Sequence, residues 1–286
     1  MHELYLNGAF VAPQQAMISV MDRGFLFGDG VYEVIPAYAG RPLRAAEHLQ
    51  RLDNSLRGIG LQAPLSLAEW SAIFTRLLAA EPDADQALYL QVTRGAAAHR
   101  DHRFPARPTP TVMAMAKPMS ARDPAVAEQG VAVVTREDIR WLRCDIKTTS
   151  LLAAVLLRQS AQEAGAEEAI LVRDGLALEG STSNLFIVQD GQLITPPKGP
   201  LLLAGITRDL VLELARQTQI PIWERDIAVA ELQGADEVWI SSSTREVMPV
   251  TRLDDRPLGA GCPGPLWRRI DACYQAFKAE LRRAAA

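Results

Sequence analysis

Three short apolar runs, at 168–172, 184–189 and 192–195, follow one another in quick succession, and Asp174-Gly175 and Asp190-Gly191 punctuate them. Asp-Gly pairs accept the positive φ angles of tight hairpin turns, and only antiparallel neighbours can be joined by so little chain. A region written this way has to form hairpin-connected β-structure. The rest of the chain must fit around it.

Upstream, alternation marks strands at 3–6, 30–38 and 87–94 and another near 110–117, while helical spacing covers 44–58 and 66–80. Asn7-Gly8 predicts one more tight hairpin, between the first strand and Ala9-Phe10-Val11. These elements read as an α+β domain over 1–117. Two prolines, Pro118 and Pro124, stand among polar residues without periodicity, so 118–127 is read as a linker. Downstream, strands at 130–134, 220–225 and 236–241 and helices near 150–164, 206–217 and 265–283 complete a larger domain over 128–286.

Composition narrows the function classes. A chain of 286 residues, 48% hydrophobic and 22% charged, can bury a sizeable core. The net charge of −4 argues against a nucleic-acid partner, which normally calls for a basic face. Cys144, Cys262 and Cys273 are odd in number, without close pairing or metal-ligand spacing, so neither a disulfide framework nor a metal site is expected. The opening Met1-His2-Glu3-Leu4-Tyr5 has no basic stretch before an apolar one, and no apolar run is long enough to span a membrane. A cytoplasmic protein is expected.

Four segments carry candidate chemistry. Lys147 ends a strand-like run, Trp141 to Ile146, and is followed by Thr148-Thr149-Ser150. A lysine that forms Schiff bases must shed its proton near neutral pH, which burial encourages; a surface lysine lying on apolar residues would look the same in sequence. Glu179-Gly180-Ser181-Thr182-Ser183-Asn184 sets a carboxylate and short polar groups before the strand Leu185-Phe186-Ile187-Val188. Such a carboxylate, if buried, can hold a pyridine nitrogen protonated; a polar turn is the alternative. At Gly205-Ile206-Thr207 a helix opens, so free backbone N–H groups converge as they do at phosphate sites, although capping by Thr207 is equally compatible. The hydroxyl cluster Ser241-Ser242-Ser243-Thr244 ends a strand and could join the same anion site or form a polar turn.

In order and spacing, Asp22-Arg23-Gly24, Phe27-Gly28-Asp29-Gly30-Val31-Tyr32-Glu33, Glu47-His48-Leu49-Gln50-Arg51-Leu52, Lys147, Glu179 and Gly205-Ile206-Thr207-Arg208 resemble the fold-type IV (class IV) pyridoxal-phosphate-dependent aminotransferases. The resemblance covers nearly the whole chain. It implies a small N-terminal α/β sandwich and a larger C-terminal domain with a β-barrel-like core. It also implies that Lys147 holds pyridoxal 5′-phosphate as an aldimine and shuttles the substrate proton, and that Glu179 pairs with the ring nitrogen. Arg51 is implied to bind the phosphate with the N–H groups of Ile206 and Thr207 and with Ser242 and Ser243. Ser181 and Thr182 are implied to line the cofactor site, and Leu203 to pack on the ring face. Arg51 also fits physically: His48 lies three residues before it on the same helix, so both should face inward.

Within the family, the segment from Glu137 to Lys147 and Arg100-Asp101-His102 resemble the D-amino-acid branch. The resemblance implies that Tyr32, Arg100 and His102 trap the substrate α-carboxylate, with the Arg100–His102 pair supplied by the neighbouring subunit of a homodimer. D-Alanine, D-glutamate or D-aspartate would then exchange amino groups with pyruvate or 2-oxoglutarate. An L-branched-chain aminotransferase is the main alternative, followed by an aminodeoxychorismate lyase, an (R)-amine transaminase or a non-catalytic protein on the same fold.

Overall fold

The computed structural model describes residues 3–283, which fold as two compact units. One comprises Met1–Ala121, Ile146–Leu151 and Leu281–Ala286; the other comprises Arg122–Asp145 and Leu152–Glu280. The sequence reading drew its boundary through 118–127, and the division falls inside that stretch, between Ala121 and Arg122. It did not anticipate that the six residues around Lys147 belong with the N-terminal unit.

The first unit contains β1 (Leu4–Leu6), β2 (Ala9–Val11), α1 (Arg23–Phe27), β3 (Gly30–Tyr38), β4 (Arg41–Pro42), α2 (Ala45–Gly58), α3 (Leu67–Leu78), β5 (Gln86–Thr93) and β6 (Thr111–Pro118). Its six strands lie in the order β2-β1-β6-β5-β3-β4, antiparallel at every pairing. Asn7 and Gly8 turn the first hairpin with φ of 48° and 94°, as the Asn-Gly pair predicted. α3 starts at a capping box in which Ser66 and Glu69 satisfy each other's backbone N–H groups. Leu49, Leu52 and Leu56 on one face of α2 join Trp70 and Phe74 of α3 over Val31, Ile35, Leu88 and Leu90 of the sheet. Each of these large side chains contributes about 1.5–3 kcal/mol by leaving water.

The second unit contains α4 (Pro124–Gln129), β7 (Val131–Glu137), α5 (Leu152–Glu163), β8 (Glu168–Arg173), β9 (Leu176–Gly180), β10 (Asn184–Gln189), β11 (Gln192–Thr195), α6 (Ile206–Gln217), β12 (Ile222–Glu224), β13 (Ile227–Ala228), α7 (Val229–Gly234), β14 (Glu237–Ser242), β15 (Glu246–Leu253), β16 (Arg256–Pro257) and α8 (Pro265–Arg283), which belongs here through Glu280. Strands β10-β14-β15-β7-β8-β9 are paired in sequence, and β9 returns to β10 through Asn184↔Glu179, closing a six-membered ring. Leu185, Ile187, Val238, Ile240, Met248, Val250, Val133, Ile170 and Ala177 take alternate positions on these strands and pack as one apolar cluster. The expected α+β architecture with a barrel-like second domain is thus present. The two Asp-Gly turns adopt positive φ at all four residues.

Three elements depart from the reading. α4 occupies the presumed linker, with Asp123 capping the Ala125 N–H and Pro124 in the first turn, where proline lacks only an unused donor. The run before Lys147 is not a strand: β7 ends at Glu137 and 138–147 is irregular, with a turn at 144–145. Glu179 does precede the strand at 184–189, but it lies within a further strand, β9, that the reading did not place.

Candidate active site

Within the first unit, Lys147 is fixed through its backbone. Its carbonyl accepts from the Tyr32 N–H at 3.0 Å, and its N–H donates to Ser55 Oγ at 3.1 Å. The polar trio after it explains the register. Thr148 Oγ1 donates to the Gly30 carbonyl and Ser150 Oγ to the Gly28 carbonyl, each at 3.1 Å. A Cβ on Gly28 would stand 2.5 Å from Ser150 Oγ, so that glycine is needed for the approach as well as for its φ of 67°. The lysine amine sits 4.2 Å from the centroid of the Tyr32 ring, which stacks on Tyr89 at 5.8 Å.

Beside this segment lies a buried ionic cluster. Glu33, fully enclosed on β3, accepts from Arg51 Nε at 2.7 Å, Arg51 Nη2 at 2.9 Å and His48 Nδ1 at 2.8 Å. Burial works to raise the Glu33 pKa, but Arg51 and His48 together hold it down at about 2. Burial pushes His48 below its ordinary value, so the imidazole is neutral and donates to the carboxylate. His48 and Arg51 therefore do share the inward face of α2, and the partner the sequence reading missed is Glu33. A lone carboxylate at an inward position of an otherwise apolar strand was the available signal.

Arg100 and His102 lie on an exposed loop. The Arg100 guanidinium is 4.9 Å from the Phe27 ring centroid, and the His102 ring is 5.2 Å from it.

Within the second unit, Glu179, Asn184 and Ser241 form a row across β9, β10 and β14. Glu179 is buried and accepts from Arg140 Nη1 at 2.5 Å, Asn184 Nδ2 at 3.2 Å and the Leu203 N–H at 3.1 Å. Burial, the largest influence, pushes its pKa up to about 7 against the pull of Arg140. Asn184 Nδ2 also donates to the Leu203 carbonyl at 2.8 Å, so that both polar groups of Leu203's backbone are tied to this row. Neither Arg140 nor Asn184 was assigned from sequence.

A carboxyl group poised near neutrality has a measurable consequence. Because its folded pKa exceeds the ordinary 4.5, Glu179 contributes stability that is full below about pH 4.5 and is lost as pH rises through about 7. The cofactor-free chain is expected to melt at progressively lower temperature across that window, and Glu179→Gln to flatten the dependence. An unchanged slope in the variant would assign the titration to another group.

Gly205 is the N-cap of α6, with no side chain capping it. The first-turn N–H groups of Ile206 and Thr207 are therefore available to an anion, reinforced by the helix dipole. Thr207 is inside the helix rather than its cap, which removes the capping alternative. A Cβ on Gly205 would stand 1.8 Å from Asn184 Oδ1, so only glycine lets the helix entrance approach the polar row. Among the described residues, Ser241 Oγ is a buried hydroxyl without a hydrogen-bond partner. These features suit a phosphorylated pyridine: a carboxyl group near neutrality for the ring nitrogen, and an open helix entrance for the phosphate.

The neighbouring hydroxyls are engaged with side chains of the protein. Ser181, Thr182 and Ser183 donate to Glu168, Thr182 at 2.7 Å and Ser183 at 3.2 Å, so Ser181 and Thr182 are committed to that buried carboxylate. Arg245 pairs with the same group at 2.6 Å, and with Thr182 Oγ1 at 2.7 Å. Ser242 Oγ accepts from Arg245 Nε at 3.4 Å, and Ser243 is half-buried. Likewise Arg51 gives two of its donors to Glu33.

Comparison with known proteins agrees with this inventory. The family described as amino-transferase class IV matches residues 30–253. D-Alanine aminotransferase of Bacillus licheniformis is 41% identical over 273 residues, covering 96% of both chains. That of Staphylococcus epidermidis is 40% identical over 278 residues, covering 97% of this chain and 98% of the relative. Among solved structures, a T.th. branched-chain amino acid aminotransferase with pyridoxamine 5′-phosphate superposes with a TM-score of 0.91 at 28% identity, covering 98% of this chain and 95% of that one. The Escherichia coli branched-chain enzyme gives a TM-score of 0.87 at 26% identity, with 96% and 93% covered. The ring of strands, the backbone-anchored lysine and a family match spanning most of the sequence lead to one conclusion: the chain belongs to the class IV amino-transferases.

Proposed function

We propose that this chain is a pyridoxal-phosphate-dependent D-amino-acid aminotransferase, exchanging the amino group of a D-alanine-type donor with a 2-oxo acid. Identity of about 40% to D-alanine aminotransferases over almost the whole length carries the choice of substrate. Lys147 is the catalytic amine. Glu179 holds the ring nitrogen, with Asn184 and Arg140 fixing the carboxylate's direction. Arg51, Ile206 and Thr207, with Ser242 and Ser243, receive the phosphate. Leu203 packs on the ring, and Ser181 and Thr182 act one layer back, through Glu168.

The bound cofactor supplies an electron sink conjugated to the substrate nitrogen, which makes the α-C–H bond acidic. The protein does the rest. Lys147 Nζ would take the proton from the substrate α-carbon and deliver it across the nitrogen to the cofactor carbon joined to that nitrogen, and its anchored backbone keeps the amine on one side of that path. Water then releases the 2-oxo acid, and a second 2-oxo acid takes the amino group in the reverse sequence. Tyr32, Arg100 and His102 bind the α-carboxylate through charged and neutral donors, which sets the hand of the substrate.

The chain acts as a homodimer in the cytoplasm, with Arg100 and His102 serving the neighbouring subunit's site. Supporting this are exposed apolar side chains on each unit: Met17, Val20, Phe25 and Phe104 on the first, and Ile139, Trp141, Leu142, Leu152, Val155 and Leu156 on the second. The three cysteines are free, which suits a reducing compartment, and no described helix is long and apolar enough to cross a membrane.

The deciding experiment follows the visible absorption of the cofactor-loaded protein on mixing with D-alanine, L-leucine or L-glutamate. Loss of the band with D-alanine alone is expected. Loss with the L-amino acids alone would keep the fold and Lys147 and make the chain an L-branched-chain aminotransferase.

A further inference from the structure

The segment from Asp22 to Asp29 carries part of the family pattern, yet the site described above gives no role to its charged side chains Asp22, Arg23 and Asp29. Its side chains converge on the loop of Arg100 and His102. Arg23 is only 3% exposed, and its guanidinium donates to three successive carbonyls of that loop: Nη1 to Asp101 at 2.5 Å and to Arg103 at 3.3 Å, and Nη2 to His102 at 3.2 Å. Its Nε donates to Asp29 at 2.7 Å. The second guanidinium on Asp29 comes from Arg94, through Nε at 2.8 Å and Nη2 at 3.0 Å, and Arg94 covers the Phe104 ring at 3.6 Å.

Phe27 completes the arrangement. The guanidinium carbons of Arg23 and Arg100 each lie 4.9 Å from its ring centroid, and the His102 ring is tilted 37° to it at 5.2 Å. One aromatic ring therefore touches both exposed side chains and the buried arginine that holds their backbone. The base beneath is rigid. Asp22 accepts from the Gly24 N–H at 2.8 Å, Thr93 Oγ1 at 2.8 Å and Thr111 Oγ1 at 2.6 Å, and a Cβ on Gly24 would stand 2.2 Å from the Thr93 methyl.

We infer that Arg23 and Phe27 are positioning residues that hold Arg100 and His102 in the geometry in which they receive the substrate carboxylate. Arg23 fixes the loop backbone, and Phe27 offers a face on which the guanidinium and the imidazole rest, through cation–π and ring contact. Exposed arginine and histidine side chains would otherwise sample many rotamers, and each binding event would have to order them. The inference rests on the proposed role of Arg100 and His102 as the carboxylate trap.

The test compares Phe27→Leu, Phe27→Tyr and Arg100→Ala in the cofactor-loaded enzyme. Three readouts are used: steady-state kinetics with D-alanine, propionate binding followed through the cofactor's absorbance, and the reaction of the bound cofactor with hydroxylamine, which has no carboxylate. Phe27→Leu is expected to raise KM for D-alanine and the propionate Kd by about 10- to 100-fold. It should leave kcat within about threefold and the hydroxylamine rate and Tm unchanged. Phe27→Tyr, which keeps the ring face, should stay close to the parent. If Arg100→Ala weakens propionate but Phe27→Leu does not, the positioning role is wrong while the carboxylate trap stands. If Phe27→Leu slows the hydroxylamine reaction and lowers Tm together with its effect on KM, the ring is merely structural and the inference falls. If Arg100→Ala changes neither KM nor propionate binding, the carboxylate reading itself fails.

Discussion

A Lys147→Ala chain is expected to lose at least about a thousandfold in transamination rate while keeping its fold. The anchors of this segment are main-chain groups and the hydroxyls of Thr148 and Ser150, and none of them is touched by the substitution. The melting temperature should therefore move little, which separates loss of chemistry from loss of structure. Borohydride treatment should raise the mass of the parent protein by one trapped cofactor and leave the variant unchanged. Small exogenous amines should restore part of the rate, because the missing group is a base of modest size that a solute can replace. A variant retaining full turnover would remove Lys147 from the mechanism.

Glu33→Ala is expected to destabilise the chain by about 3–5 kcal/mol, a large part of the stability of an ordinary domain. The substitution leaves the Arg51 guanidinium and the His48 imidazole enclosed without the carboxylate that both now bind. Removing one partner of a buried pair is costly because the other cannot recover its water. Equilibrium unfolding of the cofactor-free protein measures the loss. Adding cofactor should recover part of it if Arg51 receives the phosphate, since a second anion would then meet that guanidinium. No difference between the loaded and empty forms would place the phosphate elsewhere. The parent protein carries a related signature. Because the Glu33 pKa is depressed to about 2, its contribution is whole above about pH 4.5 and disappears as pH falls through about 2. The variant should lack this acid-side component.

The parts of the structure visible in the sequence are those set by local rules. Turn chemistry placed the Asn7-Gly8, Asp174-Gly175 and Asp190-Gly191 hairpins, and apolar spacing placed α2, α3, α6 and α8 nearly to the residue. β15 has no counterpart in the sequence reading, and the Pro249 it contains is unfavourable to an interior strand. The structure admits it because pairing with β7 begins only at Val250, where the missing N–H is no longer called on. α1 is too short to show periodicity, and α4 was hidden behind the proline that opens it. For the site, Lys147, Glu179, Gly205 and Arg51 stood out because each is an unusual residue for its surroundings. Their supports did not. Ser55, Asn184, Arg140 and Glu168 are ordinary polar residues whose roles come from partners on other elements, such as Arg140 reaching Glu179 across 39 positions and Ser55 reaching Lys147 across 92. Pattern along the chain carries no record of such pairings.

The return of Ile146–Leu151 to the first unit bears on how the molecule is made. β1 to β6 leave the ribosome early, yet Gly30 waits for the Thr148 hydroxyl across 118 positions, and Tyr32 waits for the Lys147 carbonyl. Closing so long a loop costs on the order of 4 kcal/mol in chain entropy, so this contact forms only when the sheet that receives it is already in place. The segment that carries Lys147 is thus fitted to its unit after the sheet, and Leu281–Arg283 join the same unit later still. A chain that ends before this segment leaves the Tyr32 N–H and the Gly30 carbonyl without the partners that Lys147 and Thr148 bring them.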